Sequence, residues 1–142
     1  MTIALILNGK GRDVVSVTAN QTVQEALGLL AERRIGAVPV MDGAHVAGIF
    51  SERDVIHALH KHGGSALDRT VGEVMTSPAI TVGTGEEVLA ALSLMTRRRI
   101  RHLPVVDGGD LIGFVSIGDL VKYRIDRIES DAAAMREYIQ TA

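Results

Sequence analysis

Two seven-residue stretches of this chain combine a glycine, a serine and an aspartate at the same spacing. They are 48–54 (Gly-Ile-Phe-Ser-Glu-Arg-Asp) and 113–119 (Gly-Phe-Val-Ser-Ile-Gly-Asp). A glycine lets another group approach the backbone, a serine hydroxyl at a helix start can bind a phosphate, and an aspartate one turn later can accept hydrogen bonds from sugar hydroxyls. The same residues are also ordinary helix caps. Two copies in register favour ligand binding over capping alone.

The two stretches belong to a longer internal repeat. Residues 15–55 align without a gap to residues 80–120, and 15 of these 41 positions are identical. A duplication explains this agreement far better than chance. Two copies indicate a pair related by a pseudo-twofold axis, because a solenoid needs about three or more units to bury its faces.

Each copy has the pattern strand, helix, strand, strand, helix. In the first copy we expect a strand over 14–17, a helix capped by Thr22, strands over 37–41 and 46–50 joined at an Asp-Gly turn, and a helix over 52–62. In the second copy the strands are expected over 80–82, 103–106 and 111–115, with helices over 86–98 and from about 117 to 139. Residues 63–65 (Gly-Gly-Ser) read as a flexible break. The predicted fold is α+β, with one repeat over 1–66 and the other over 67–142.

Composition restricts the possible functions. The 142 residues are 46% hydrophobic and 23% charged, with a net charge of -2, no cysteine and only four aromatic side chains. The absence of cysteine excludes disulfides, thiolate metal sites and cysteine nucleophiles. The net charge of -2 argues against binding nucleic acid or an anionic membrane. The N-terminus lacks the pattern of a signal peptide and no apolar run is long enough to span a membrane. We therefore expect a cytoplasmic protein.

Other polar groups allow more than one interpretation. The arginines between residues 97 and 101 can complement the dipole at a helix end or bind phosphates. The histidines at 57, 60 and 62 lack an acidic residue or a fourth ligand that would complete a metal site. No nucleophile is paired with a recognisable base. We predict neither a metal site nor catalysis.

The last helix continues beyond the repeat and carries an apolar stripe. Its members recur at spacings of three and four: Ile125, Ile128, Ala132, Met135 and Ile139. Such a stripe indicates a dimer contact or a cover over the core rather than a binding site.

With these features the chain resembles a tandem pair of CBS domains, the module named after cystathionine β-synthase and also called a Bateman module. The resemblance is carried by the order of elements, by residues 35–40 (Ile-Gly-Ala-Val-Pro-Val) and 100–105 (Ile-Arg-His-Leu-Pro-Val), by the Asp-Gly hairpins, and by both Gly-x-x-Ser-x-x-Asp junctions. It covers about residues 10–125. It implies two repeats that bind adenine nucleotides in the clefts between them.

The resemblance also implies which residues form each cleft, since each takes its serine and aspartate from one repeat and its purine-lining segment from the other. The first cleft would contain Ser51, Arg53, Asp54, Ile80, Ile100, Arg101, His102, Leu103 and Pro104. The second cleft would contain Val15, Ile35, Gly36, Ala37, Val38, Pro39, Ser116 and Asp119.

The two implied clefts differ in charge. Arg53 and the arginines of 97–101 favour a phosphate-rich ligand in the first cleft, whereas Gly118 takes the place of Arg53 in the second. A monophosphate or the adenosine end of a dinucleotide suits the second cleft better. We expect a non-enzymatic sensor, a homodimer that binds AMP or ATP first and NAD(H) next and signals to a protein partner. The alternatives are a constitutive assembly module with vestigial sites and, third, a weak nucleotide-processing enzyme.

Overall fold

Two copies of one unit, each a hairpin with helices packed on it, form the structure, a computed structural model that describes residues 1–141. The helices are α1 (Ile3–Lys10), α2 (Val23–Arg33), α3 (Glu52–His62), α4 (Val71–Val74), α5 (Val88–Arg98) and α6 (Ile117–Thr141). The strands are β1 (Val17–Thr18), β2 (Ala37–Asp42), β3 (His45–Ser51), β4 (His102–Asp107) and β5 (Asp110–Ser116). The α+β fold of two strand-helix-strand-strand-helix repeats is confirmed.

The first repeat holds a three-stranded sheet in the order β1-β2-β3, and the second holds the hairpin β4-β5. β1 runs parallel to β2, and both hairpins are antiparallel, with a register shift at the same repeat position in each. The first strand of each repeat is shorter than the sequence predicts. In the second repeat it is reduced to one parallel bridge between Val82 and Val105. Each of these segments pairs with one neighbour only, so few hydrogen bonds extend it.

α2 and α5 end in the same way, although neither ends at a glycine. The helix caps Arg34 and Arg99 both adopt the left-handed conformation, with φ of 53° and 55°. At the other end of α2, the hydroxyl of Thr22 accepts a hydrogen bond from the Glu25 amide, as the sequence predicts. Buried faces at matching positions of the two helices pack on the two hairpins.

α1 is an element that the sequence analysis did not predict. Its apolar residues Ile3, Ile6 and Leu7 are buried in the core of the second repeat, together with Met95 and Leu120 of α5 and α6. Leu7 lies directly over Gly113, where a Cβ atom would stand 2.5 Å from a Leu7 methyl carbon. The N-terminal segment therefore crosses over to the repeat that follows later in the chain.

The segment between the repeats is ordered, in contrast to the predicted flexible break. Residues 63–68 form a 3-10 helix, and the Ser65 hydroxyl donates to the carbonyl of His62 at 2.8 Å. Ala66 is fully buried, which anchors this turn against the first repeat. α4 follows, and Met75 at its end lies over Gly48 as Leu7 lies over Gly113.

α6 extends over 25 residues, to within two residues of the predicted end. Leu120 is its buried residue, whereas Ile125, Ile128, Met135 and Ile139 are all exposed. Within the described chain the stripe therefore does not cover the core.

Candidate functional site

A cavity of about 550 Å³ lies between the two repeats. Its volume falls within the range of about 300–1,000 Å³ typical of small-molecule sites. Its wall draws on the start of α3, the start of β2, the segment before residue 80 and the end of α5: Gly36, Ala37, Ile49, Ser51, Glu52, Arg53, Asp54, Ile56, Thr76, Pro78, Ala79, Ile80, Arg98, Arg99, Ile100, Arg101 and His102. Because both repeats contribute, a ligand here would contact the two units together.

The carboxylate of Asp54 lies at one side of this cavity, held by the start of α3. Its Oδ2 accepts hydrogen bonds from the Ser51 amide at 2.9 Å and from the Ser51 hydroxyl at 3.1 Å. Its Oδ1 accepts one from the hydroxyl of Thr76 at 2.8 Å. The motif therefore caps α3, and the same hydrogen bonds orient the Asp54 carboxylate.

The approach of Thr76 to this junction depends on Gly48. A Cβ atom at Gly48 would stand 2.6 Å from the carbonyl oxygen of Thr76 and 2.9 Å from the sulfur of Met75. The amides and carbonyls of Ile49 and Thr76 pair in both directions, each at 2.9 Å. The glycine of the motif therefore brings the segment before the second repeat against the first repeat.

Four arginines also line the cavity. Arg53, Arg98, Arg99 and Arg101 line it, against the two carboxylates Glu52 and Asp54. The Arg53 guanidinium donates to the Arg99 carbonyl at 3.0 Å, which joins the start of α3 to the end of α5 across the two repeats. A site with this charge surplus suits an anionic ligand that also carries hydroxyl groups.

His102 lies at the cavity wall and stacks on Phe114, with ring centroids 5.6 Å apart and planes inclined by 13°. Burial lowers the pKa of His102, and the nearby ammonium of Lys10 lowers it further, against the opposing effects of Asp119 and Glu52. The neutral imidazole is therefore favoured, and it can both donate and accept hydrogen bonds.

The second Gly-x-x-Ser-x-x-Asp junction has a different partner. The Ser116 amide donates to Asp119 Oδ2 at 2.8 Å, and the Asp119 amide donates back to the Ser116 hydroxyl at 3.1 Å. Lys10 Nζ donates to Asp119 Oδ2 at 2.6 Å and to the Phe114 carbonyl at 2.7 Å. Burial alone would raise the pKa of Asp119, but hydrogen bonds from Lys10 and Ser116 outweigh it and hold that pKa below its usual value.

Most residues expected in the first cleft do meet around the cavity. Ser51, Arg53 and Asp54 face Ile80, Ile100, Arg101 and His102. Two others lie elsewhere: Leu103 is fully buried in the second core, and Pro104 is buried with its carbonyl bonded to the Val82 amide. They lie inside the hairpin layer, under the helices, while the preceding end of β4 reaches the cavity.

The residues expected in the second cleft are distributed more widely. Gly36 and Ala37 instead line the cavity that contains Asp54. The Gly36 carbonyl accepts a hydrogen bond from the Glu52 amide, which holds the start of β2 beside α3. Val38 and Pro39 are buried in the first repeat. Val15 and Ile35 are partly buried apolar side chains that pack on the first core. Ser116 and Asp119 form the polar pair at the start of α6.

Sequence reasoning missed two polar side chains that touch the motif carboxylates, Thr76 and Lys10. Both precede the first strand of a repeat, in segments that begin before the aligned region. Extended upstream at the same offset of 65, the repeat alignment pairs Lys10 with Met75 and Gly11 with Thr76, so it does not single out these two side chains. Sequence alone does not show that these segments reach the opposite repeat.

The described part of the chain contains no group of three or more histidine, aspartate or glutamate side chains placed to hold a metal ion. None of the helices in residues 1–141 is long and apolar enough to cross a membrane.

Comparison with known proteins agrees with this architecture. The CBS domain family model matches residues 11–61 and 71–126. The chain is 33% identical to the mitochondrial CBS domain-containing protein CBSX3 of Arabidopsis thaliana, over 98% of this chain and 72% of CBSX3.

Two solved structures are similar along most of their length. The CBS-domain containing protein ATU1752 from Agrobacterium tumefaciens superposes with a TM-score of 0.84 at 38% identity, covering 87% of this chain and 99% of the other. The CBS domain protein PAE2072 from Pyrobaculum aerophilum, solved in complex with AMP, has a TM-score of 0.73 at 29% identity, covering 84% and 89%. The repeat, the fold and these matches lead to one conclusion: the chain belongs to the CBS domain family and carries two copies of the domain.

Proposed function

We propose that this chain is a non-enzymatic regulatory module that binds an adenine nucleotide in the cavity between its repeats and thereby changes its contacts with a protein partner. The observation that carries this proposal is the composition of the cavity wall. The Asp54 carboxylate provides an acceptor for ribose hydroxyls, and four arginines line the same cavity and can bind phosphates. The AMP complex of PAE2072 supports the same ligand class.

Regulation follows from the position of the cavity between two units. A ligand that contacts both repeats stabilises one arrangement of them over others, by its difference in affinity for the two states. AMP and ATP are the first candidates and NAD(H) the next. The cation surplus favours ligands with phosphates over free adenosine.

The proposal includes a homodimer, formed through α3 and the exposed stripe of α6. Ile56 and Leu59 on α3 are exposed, as are the stripe residues Ile125, Ile128 and Met135. A second copy can cover both faces in a symmetric contact. Cytoplasmic location stays a prediction, and the name of the Arabidopsis relative assigns that protein to mitochondria.

A thermal-shift panel tests the binding proposal. The ligands are AMP, ADP, ATP, NAD, NADH, S-adenosylmethionine and GMP, on the wild type and on Asp54→Ala and Asp119→Ala. A ligand at 100 times its dissociation constant adds about 2.7 kcal/mol of stability. We expect an adenine nucleotide to stabilise the wild type and Asp54→Ala to lose the response; absence of any shift would count against the proposal.

The second candidate function is a constitutive assembly module. It is favoured by one observation: both motif carboxylates already have partners inside the chain, Thr76 on Asp54 and Lys10 on Asp119. An assembly module would show a stable oligomer and no nucleotide response. An assay for nucleotide hydrolysis products separates both from a weak nucleotide-processing enzyme.

A further inference from the structure

The exposed stripe of α6 follows a seven-residue repeat. Its apolar side chains recur at alternating spacings of four and three residues: Val121, Ile125, Ile128, Ala132, Met135 and Ile139. In a heptad written abcdefg they occupy every a and d position of this segment, which is the pattern of a helix that pairs along a narrow seam. Leu120 and Tyr123, which pack on the second core, occupy positions c and f. The seam therefore faces away from the body of the molecule.

The far part of α6 receives little stabilisation from the rest of the chain. Every residue from 125 to 141 is exposed, over a length of about 25 Å at 1.5 Å per residue. The exposed fraction of the larger seam side chains rises from 41% at Val121 to 66% at Ile139. Most helical stability in proteins comes from packing an apolar face, so this segment calls for a partner that covers the seam.

The charges beside the seam indicate that this partner is a second copy of α6. Positions g and e flank the seam, and in a parallel pair position g of one helix lies near the position e that follows five residues later on the other helix. Arg124 then lies near Glu129 of the partner subunit, and Asp131 lies near Arg136 of the partner subunit. Twofold symmetry repeats both attractive pairs on the other side of the seam.

The opposite orientation lacks this complementarity. In an antiparallel pair that overlaps the whole stripe, Ile128 faces Ala132 of the partner subunit. Glu129 then approaches Glu129 of the partner subunit and Asp131 approaches Asp131 of the partner subunit, and like charges repel. Within its own helix Asp131 lies 3.9 Å from Arg127, but both side chains are exposed, so this pair is weak and leaves Asp131 able to contact another cation.

We propose that α6 pairs with α6 of a second copy as a parallel two-stranded coiled coil over residues 121–139. This inference rests on the homodimer of the proposed function and deepens it, because it assigns the orientation of the two copies and the residues that determine it. Since α6 begins at Ile117, directly after the second hairpin, parallel pairing places the two second repeats at the same end of the coiled coil.

Disulfide cross-linking tests the parallel register, and the absence of native cysteine makes an introduced thiol unambiguous. Met135→Cys places the thiol at position d of the seam, and Ala134→Cys is the matched control at position c, which points away from it. A disulfide requires Cα atoms within about 7 Å, so under mild oxidation Met135→Cys should form covalent dimers at least about tenfold faster than Ala134→Cys. Circular dichroism checks that both variants are folded.

A charge exchange tests the pairs beside the seam. Asp131→Arg brings an arginine near Arg136 of the partner subunit and should weaken the dimer about fivefold in sedimentation equilibrium. The double variant Asp131→Arg/Arg136→Asp restores opposite charges, and its dissociation constant should return to within about twofold of the wild-type value. Glu137→Arg makes the same change of charge at the outer position f and should leave the dimer unchanged.

Four results would overturn the inference. A dimeric wild type with equally slow cross-linking of Met135→Cys and Ala134→Cys would place the contact on α3 alone, and the homodimer would stand. Cross-links in a mixture of Ile125→Cys and Met135→Cys proteins, without any in Met135→Cys alone, would show an antiparallel pair. Wild-type affinity in Asp131→Arg would remove the charges as the determinant of orientation. A monomeric wild type would end the proposed homodimer as well, while nucleotide binding is measured independently by the thermal-shift panel.

Discussion

The imidazole of His102 lies face to face with the ring of Phe114, 5.6 Å apart between centroids. This contact joins the two motif junctions of the molecule. His102 lines the cavity that contains Asp54, while the Phe114 carbonyl accepts a hydrogen bond from Lys10, which also holds Asp119. His102 and Phe114 therefore link the wall of the Asp54 cavity to the residue whose carbonyl holds Lys10 beside Asp119.

Stability should fall in mild acid because of His102. Its folded pKa is lowered from 6.5, so protonation is less favourable in the folded state than in the unfolded chain. The contribution of neutral His102 to the free energy of unfolding is fully present above pH 6.5, and it is lost as the pH falls from 6.5 towards the folded pKa. The lowered pKa of Asp119 acts only below its ordinary value of 3.8.

The substitution His102→Gln should reduce the slope of the unfolding free energy against pH by at most about 1.4 kcal/mol per pH unit. Urea unfolding at pH 7.5 and 5.5 measures the difference, with the exposed His60→Gln as control. An unaltered difference between the two pH values in His102→Gln would contradict the assignment.

Gly48→Ala should lower the free energy of unfolding by about 1–3 kcal/mol, because the new Cβ meets the backbone carbonyl of Thr76 at 2.6 Å. Gly28→Ala is the matched control. It lies inside α2 with nothing within 4 Å of the new Cβ, so it should stabilise the chain by up to about 1 kcal/mol. Denaturant melts of both variants give the comparison, and equal effects would argue against close packing at Gly48.

Arg53→Ala should weaken nucleotides in proportion to their phosphates. Hydrogen bonds to charged groups contribute about 1.5–3 kcal/mol, so ATP should lose at least about tenfold, AMP less, and adenosine little. Fluorescence competition on the variant and on Arg136→Ala, an exposed arginine of α6, tests the series. An equal loss for adenosine would mean that Arg53 acts through its bond to the Arg99 carbonyl instead.

Ile128→Glu should convert a dimer to a monomer, since it places a charge in the middle of the exposed stripe of α6. Ala134→Glu adds the same charge on the other side of the helix and should leave the dimer intact. Light scattering after size exclusion reports the masses. A wild type that is already monomeric would rule out the proposed contact.

The sequence predicted the parts of the fold that local pattern determines. Both hairpins, α2, α3 and α6 follow from apolar periodicity, Asp-Gly turns and the Thr22 cap, and the junctions at Asp54 and Asp119 follow from the repeat. Long-range contacts could not be predicted from the sequence pattern. α1 is too short for its periodicity to be distinctive, and its burial depends on a core more than 70 residues away in the chain.

The same limit applies to the candidate site. The repeated spacing singles out Ser51 and Asp54, and the resemblance to CBS pairs adds Arg53. The resemblance to CBS pairs implies that Leu103 and Pro104 belong to the purine-lining segment of the first cleft, although packing under the helices buries them. Lys10 carries no local signal, since its role depends on where α1 docks.

Calorimetric titration of AMP into the wild type and into Asp54→Asn tests the central claim most directly. Asparagine keeps an acceptor for the Ser51 amide, so the start of α3 is preserved while the charge that accepts ribose hydroxyls is removed. The proposed function predicts saturable AMP binding to the wild type and a loss of about tenfold or more in the variant. Equal affinity of the two proteins, or no binding to the wild type, would contradict a nucleotide site at Asp54.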